Sequence, residues 1–552
     1  MNADHVDRVV ALIGDGPGSI RGLRRLAVGL AVGGKLGGGD HDADFQAVTE
    51  ALHRSPEGKF DQWSVATDDL PASLGRPEHF VRLGTVARIE KGRTGIQAAA
   101  PGPYPLVVTA EHRQSCDHFD FDGAAAIVPL VSSAGHGKAS LQRLHYQEGR
   151  FALGTILAAI FPKDPQRFSA RFLFEYLSAF KDDLLVSRML GTANVTLTIA
   201  KLSDVPIPSI AAAVQARVDQ IMGLCDRLEA ARTAREATRD RLTAASLARL
   251  SASDMEPKDF LTQARSVVAT LPALTTRPDQ IKPLRQTILN LAAGGKLVGQ
   301  DPTDEPASEL LERITSARAA MKGNKGHRNK DQVISIVPSS VAIPHRWESV
   351  RLDAISTFEN GDRSSNYPSG PDLKSDGIPF FSTKNLSDHR LGFANLEFIS
   401  PAKFSSLRSG KLKDLDILIT LRGSVGKFGL FKASENITTG FINAQLLIIR
   451  CLDPEIVPYL VTCMQSEVFD RQIAQLSSGA ATPQLSAGKL AEALIPLPPV
   501  AEQRRIVAKV DALMALCDRL EAALTATDTS RARLLDALLQ DALNTRPLEE
   551  AA

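Results

Sequence analysis

The chain has 552 residues, 64 Lys and Arg against 63 Asp and Glu, and 43% hydrophobic residues. That length supports about three or four ordinary domains, and a formal charge of +1 excludes both a histone-like polybasic chain and an acidic disordered one. Five scattered cysteines (116, 225, 451, 463, 517) have neither metal-ligand spacing nor a secreted disulfide framework, and no apolar run reaches 18 residues. A soluble protein of a reducing cytoplasm, with no membrane partner, is the expectation.

Residues 1–50 read as a helical segment packing with the C-terminal helices. Its IRGLRRLAVGLAVGGKL (20–36) returns as IKPLRQTILNLAAGGKL (281–297), with nine of 17 positions identical. Residues 51–208 read as a first globular head, with strand-like runs YPLVVTA (104–110) and AAAIVPLV (124–131) and a helix-like ARFLFEYLSAF (170–180). The Pro-rich stop VPIPS (205–209) hands over to a central helical region, 209–320. Residues 321–340 are a polar basic linker, MKGNKGHRNKDQ at its start.

A second head follows at 341–498. Its runs IPFFST (378–383), DILITL (416–421) and FINAQLLIIR (441–450) read as strands, and EIVPYLVTCMQSEVF (455–469) as a helix. IPLPPV (495–500) then opens a C-terminal helical region, 499–552. VDQIMGLCDRLEAARTA (218–234) and VDALMALCDRLEAALTA (510–526) agree at 13 of 17 positions, at a fixed offset of 292. GTANVTLTIAKL (191–202) likewise pairs with GAATPQLSAGKL (479–490), and Val81-Arg82-Leu83 followed by Gly92 with Val350-Arg351-Leu352 followed by Gly361. The chain is therefore two copies of one unit. The fold expected is α+β, with two mixed heads separated by two long antiparallel helices. Val218, Ile221, Cys225 and Leu228, and in the other copy Val510, Leu513, Cys517, Leu520 and Leu524, form the a/d stripe of a coiled coil, resumed at Leu534 and Leu538. Asp226-Arg227 and Asp518-Arg519 lie beside that stripe.

Catalytic signatures are not found. Gly29-x4-Gly34-Lys35 ends in Leu36 where a phosphate loop needs Ser or Thr, and its repeat partner has Asn290 for Gly29, so GGKL reads as a helix stop. Gly14-Asp15-Gly16-Pro17-Gly18 has no buried strand before it. Pro498-Pro499 is followed by Val500, not the aromatic that an amino-methyltransferase stacks on its base. Nuclease, HExxH, GxSxG and CxxC patterns are missing, and His136 and His145 stand alone. No catalytic residue, metal or cofactor is expected.

Two heads on long helices make a two-site binding device. A helix of about 35 residues is roughly 50 Å long, against about 34–36 Å per turn of duplex DNA. Such a rod suits two half-sites on DNA, and equally a coiled-coil scaffold with two protein-binding heads. The heads are near neutral: residues 60–205 hold 15 basic and 15 acidic residues, and residues 345–495 hold 16 of each. Local bias appears at 408–432, with six basic and two acidic residues. There Arg422, Ser424 and Lys427 occupy a Gly-punctuated turn after a strand, placed to reach phosphates or base edges. In the first head, Arg88, Lys91, Arg93 and Thr94 surround Gly92, and Lys138, Arg143 and His145 straddle another turn.

The segments IPLPPVAEQRRIVAKVDALMALCDRLEAAL (495–524) and LRQTILNLAAGGKLVGQDPTDEPASELLERI (284–314) resemble signature segments of the specificity subunits of type I restriction-modification enzymes. DILITLRGSVGKFG (416–429) and GAATPQLS (479–486) resemble that family's target recognition domains. The first copy departs from the pattern: IPSIAAAVQARVD (207–219) is two residues shorter than LPPVAEQRRIVAKVD (497–511) and lacks the run Glu502-Gln503-Arg504-Arg505. The resemblance implies a non-catalytic subunit whose heads each read one half of a bipartite target in double-stranded DNA, with helices setting the spacer. It implies docking of two methyltransferase subunits, joined by two translocase-nuclease restriction subunits. The DNA-reading candidates are then Arg88, Lys91, Arg93, Thr94, Lys138 and Arg143 in the first head, and Lys384, Asn385, Arg422, Ser424 and Lys427 in the second. Partner docking would fall to Glu502, Gln503, Arg504 and Arg505, with Asp226, Arg227, Asp518 and Arg519.

Overall fold

The structure is a computed structural model that describes residues 19–36, 64–70, 77–134, 138–191, 195–251, 274–322, 343–479 and 483–544, positions 98 and 388 excepted, with isolated positions 46, 50, 74, 266, 267 and 270. Most of the expected N-terminal segment, the Gly14–Gly18 loop, His136 and nearly all of the basic linker lie outside the described residues. The chain divides into two compact units, residues 1–237 with 526–552, and residues 238–525.

Unit 1 contains helices α1 (Ser19–Val32) and α2 (Ala170–Ala179), and most of the 40-residue α3 (Ala212–Ser251). Its strands are β1 (Phe80–Arg82), β2 (Ala87–Lys91), β3 (Tyr104–Val107), β4 (Gln114–Cys116), β5 (Phe121–Asp122), β6 (Ala125–Pro129), β7 (His145–Gln147), β8 (Arg150–Leu153), β9 (Leu157–Pro162) and β10 (Pro206–Pro208). They form a four-stranded antiparallel sheet β2-β9-β6-β7, a second sheet β4-β3-β8-β5 in which β3 and β8 run parallel, and the pair β1-β10.

All five residues of β6 are buried because both faces of its sheet are covered. Successive side chains point to opposite faces. Accordingly Ala126 and Val128 join the helical core with Phe172, Leu173 and Tyr176, whereas Ala125 and Ile127 join Phe121, Phe151 and Leu153 between the two sheets. Gly92 ends β2 where the two sheets meet. A Cβ there would lie 2.0 Å from the Gly154 carbonyl oxygen, and one at its repeat partner Gly361 would lie 2.7 Å from that of Ile442. The glycine shared by the copies is thus required by backbone approach.

Unit 2 repeats the plan. Its helices are α4 (Ile281–Ala293), α5 (Ala307–Lys322), α6 (Val457–Met464), α7 (Glu467–Leu476) and most of the 45-residue α8 (Val500–Asn544). Its strands are β11 (Glu348–Arg351), β12 (Ser356–Asn360), β13 (Leu373–Lys374), β14 (Ile378–Phe381), β15 (Leu386–Ser387), β16 (Arg390–Leu391), β17 (Glu397–Ile399), β18 (Ile417–Thr420), β19 (Phe428–Leu430), β20 (Phe441–Ile442), β21 (Leu446–Cys451) and β22 (Leu494–Leu497). They form β12-β21-β18-β19, β13-β17-β14-β20, the pair β11-β22 and the hairpin β15-β16.

Four readings of the sequence are refined. The Pro-rich stops are strands before they are stops: β10 and β22 pair with β1 and β11 before the long helices begin. The single helix expected over 455–469 is two, because Ser466 breaks the chain and caps α7. FINAQLLIIR is two strands in different sheets, β20 and β21. The GGKL segments do end helices, with Gly34 (φ 76°) and Gly295 (φ 69°) left-handed and Lys35 and Lys296 N–H closing back onto Leu30 and Leu291 carbonyls.

The apolar stripe of each long helix starts on its own unit. Val214, Val218 and Met222 of α3 pack into the core with Val28 and Ala31 of α1. Val510 and Cys517 of α8 do the same with Ile288 and Ala292 of α4. Farther along α3, Leu228 and Leu242 are exposed, as is Leu534 of α8. No helix among the described residues is long and apolar enough to cross a membrane.

Candidate nucleic-acid interface

The hairpin β18–β19 carries Arg422, Ser424 and Lys427 together, all exposed. The turn is closed by Thr420 N–H to the Lys427 carbonyl (2.8 Å) and Gly426 N–H to the Thr420 carbonyl (3.1 Å). Gly423 and Gly426 both have positive φ (78° and 86°), which an L side chain resists. Residues 483–485 cross this hairpin: Gly423 N–H donates to the Pro483 carbonyl, and Leu485 N–H to that of Leu421. Turn, crossing segment and α7 enclose a cleft of about 670 Å³. His389, Ser424, Lys427, Asp470, Ser477 and Ser478 supply its polar lining. His389 packs its ring on Phe428 at 4.7 Å. Burial pushes the Asp470 carboxyl above the usual range, and His389 acts against that rise.

The same station exists in unit 1. Leu130, Ser132, Leu190, Thr196 and Leu197 donate five backbone hydrogen bonds matching those of Leu421, Gly423, Ser478, Gln484 and Leu485 in unit 2. Val131 therefore occupies the place of Arg422, and Leu190 that of Ser478. Both are exposed, at 38% and 60%. Lys138 and Arg143 lie in the longer β6–β7 loop of this station. Lys138 is exposed, and Arg143 pairs with Glu111 at 3.1 Å.

Arg88, Lys91 and Arg93 lie elsewhere, along and just beyond β2, the sheet edge opposite β7. Arg88 and Arg93 lie over the Phe161 and Phe121 rings (5.2 and 4.8 Å) and beside Glu90, while Lys91 is exposed. Thr94 is buried. Its hydroxyl donates to Asp120 (2.8 Å) and lies 3.0 Å from His118 Nε2. In unit 2, Lys384 is exposed, but Asn385 turns inward, its Oδ1 accepting from Ser382 N–H (2.9 Å). Thr94 and Asn385 therefore hold loops, and their burial keeps their side chains from a ligand at the surface. His145 is also buried. Burial, with Arg113 and Arg143 beside it, lowers its pKa to about 4, so the ring is neutral near pH 7.

Among the described residues, Cys116, Asp117 and His118 offer three ligand-type atoms within 4.8 Å of one another. His118 Nδ1 is 2.8 Å from Asp117 Oδ1, and Thr94 ties the β4–β5 turn down through His118 and Asp120.

The run at the start of α8 is largely turned inward. Glu502 and Gln503 are 1% and 2% exposed, and Gln503 Nε2 donates to the Pro498 carbonyl (2.8 Å). Arg505 pairs with Asp304 (2.6 Å) and Arg504 with Glu455 (2.7 Å). The first copy does possess this glutamine: Gln215, equally buried, makes the same bond to the Ile210 carbonyl (3.1 Å). By this alignment the first copy is four residues shorter, about one helical turn, rather than two. Asp226 and Asp518 are also engaged, by Arg24 (2.5 Å) and Arg285 (2.6 Å), arginines at the same place in the repeated short helices. Glu229 and Glu521 complete the same grip. Arg227 and Arg519 remain exposed.

Comparison with known proteins gives a consistent family. Residues 344–527 match the type I restriction modification DNA specificity domain. The chain is similar to the EcoEI specificity subunit of Escherichia coli, 28% identical over 95% of this chain and 94% of that one. It is 29% identical to the EcoAI specificity subunit of the same species over 59% of this chain, spanning only 56% of that relative's length. Among solved structures it is similar to the HsdS subunit from Thermoanaerobacter tengcongensis (17% identity, TM-score 0.36, covering 84% of this chain and 96% of that one).

Proposed function

The chain belongs to the specificity subunits of type I restriction-modification enzymes, and from that premise we propose that it reads a bipartite DNA target for a methyltransferase–restriction complex. Each unit reads one half of the target in duplex DNA, and the long helices set the unspecified spacer. Methyltransferase and restriction subunits assemble on it and supply the chemistry. The observation that carries this reading is the repeated station: one backbone frame occurs in both units and displays Arg422 and Ser478 in one, Val131 and Leu190 in the other. A shared frame with different exposed side chains suits two readers of two different half-targets.

Docking of partners is assigned to the exposed faces of the long helices, including Arg227 and Arg519. The buried Glu502 and Gln503 act there by fixing the direction in which α8 leaves its unit. Mapping methylated adenines in cells with and without the gene tests the reading. The expected result is a bipartite motif that vanishes with the gene; an unchanged methylation map contradicts it.

A further inference from the structure

The cleft at the unit 2 station has a shape that a base-reading surface does not need. Base edges lie at the floor of a groove and are reached by protruding side chains, whereas the sugar–phosphate backbone is a ridge that fits a concavity. We propose that the cleft beside the Gly423–Lys427 turn seats a phosphate of the DNA backbone, held by Lys427 and Ser424. The proposal rests on the DNA-reading function above and divides the labour at that site. Arg422 stands outside the cleft lining and is left to the bases.

Three observations carry it. First, the turn is open toward the cleft: a Cβ at Gly423 would meet nothing within 4 Å, so a phosphate can approach the backbone there. Second, Lys427 is exposed on the rim, and His389 on the same lining has a buried Nδ1 without a hydrogen-bond partner. Third, the described residues at the corresponding place in unit 1 are engaged otherwise: Arg143, which stands where Lys427 stands, pairs with Glu111 (3.1 Å). Ser132, which stands where Gly423 stands, spends its hydroxyl on the Lys138 carbonyl (2.6 Å), and Val131 and Leu190 face solvent beside it. Among the described residues, Asp470 is the one carboxylate lining the cleft. It opposes a phosphate, so its removal tells a phosphate site from a base site, in which a carboxylate accepts from the cytosine amine.

The test uses the full chain assembled with its methyltransferase subunits, binding a duplex with the target mapped in cells and a scrambled duplex, over a series of salt concentrations. Lys427→Gln is expected to reduce the slope of log affinity against log salt by about one on both duplexes while leaving the methylated motif unchanged. Lys427→Arg is expected to restore the slope, and Val131→Ala to leave it alone. Asp470→Asn is expected to tighten binding to both duplexes. An unchanged slope for Lys427→Gln, a changed motif in that variant, or weaker binding by Asp470→Asn each overturns the phosphate assignment. Failure of the underlying function looks different, because the unsubstituted chain would then bind both duplexes equally. Unfolding midpoints of the variants, expected to be unchanged for these surface positions, separate loss of fold from loss of contact.

Discussion

Unit 1 and unit 2 share a sheet order, a parallel pair in the second sheet, a buried tyrosine bonded to a proline carbonyl (Tyr176 to Pro206, Tyr459 to Pro496) and an arginine gripping Asp-Arg-Leu-Glu. They part company wherever a side chain need not support that frame. At the station held in unit 1 by buried His145, unit 2 has Gly429, where a Cβ would lie 2.6 Å from Leu391 N and block the approach of β16. Arg24 reaches the buried Glu175 as well as Asp226, and Arg171 joins it. Among the described residues, Arg285 pairs with surface carboxylates, Asp518 and Glu521. The difference teaches that duplication conserved backbone geometry and freed the electrostatics of each copy.

The widest separation between the units is expected from the paired arginines. Arg24→Ala strands the Glu175 carboxyl, already raised in pKa by burial, with Arg171 alone, and should cost about 3 kcal/mol. Arg285→Ala removes an exposed pair and should cost about 1 kcal/mol or less. Denaturant unfolding of the two variants measures both, and equal losses would break the comparison.

Acid should distinguish the units next. A histidine whose folded pKa is about 4, below its unfolded value near 6.5, is bound by more protons in the unfolded chain between those limits. Its contribution to stability is therefore present above pH 6.5 and lost as pH falls toward 4, by about 3 kcal/mol. His145→Gln should remove that part of the acid sensitivity, and pH-dependent melting of the two forms checks it. The shared glutamine sharpens the comparison from the other side. Gln503→Ala leaves the Pro498 carbonyl unpaired and should cost about 1–2 kcal/mol, and Gln215→Ala, which also frees the Arg167 carbonyl and the Ser169 N–H, should cost at least as much. A loss confined to Gln503→Ala would show that the bond in the first copy is not the equivalent one.

Much of the frame was legible because duplication writes itself into sequence. Identical CDRLEA segments and GGKL stops mark the helices, and short continuous apolar runs mark β6, β14 and β18. The equivalence of Gln215 and Gln503 was hidden by an extra turn between them and the next shared segment, so only the hydrogen bond to the carbonyl five residues back reveals it. Charge and turn residues single out Arg422, Ser424 and Lys427, which one short hairpin brings together at the surface. They also single out Thr94 and Asn385, which the fold buries, since small polar residues look alike in sequence whether they hold a loop or face solvent. Asp470 and His389 gave no signal, being brought to the cleft by folding from α7 and from a loop 30 or more residues away in sequence.

The central claim is that each unit reads its own half of one target. Arg422→Ala should lower discrimination at one position by about 1–3 kcal/mol, the scale of a single base contact. The direct measurement is a methylated-adenine map of cells carrying the Arg422→Ala chain beside one of cells carrying the unsubstituted chain. The account predicts a motif relaxed in one half and intact in the other, with the spacer unchanged. A motif altered in both halves, or in neither, would contradict it.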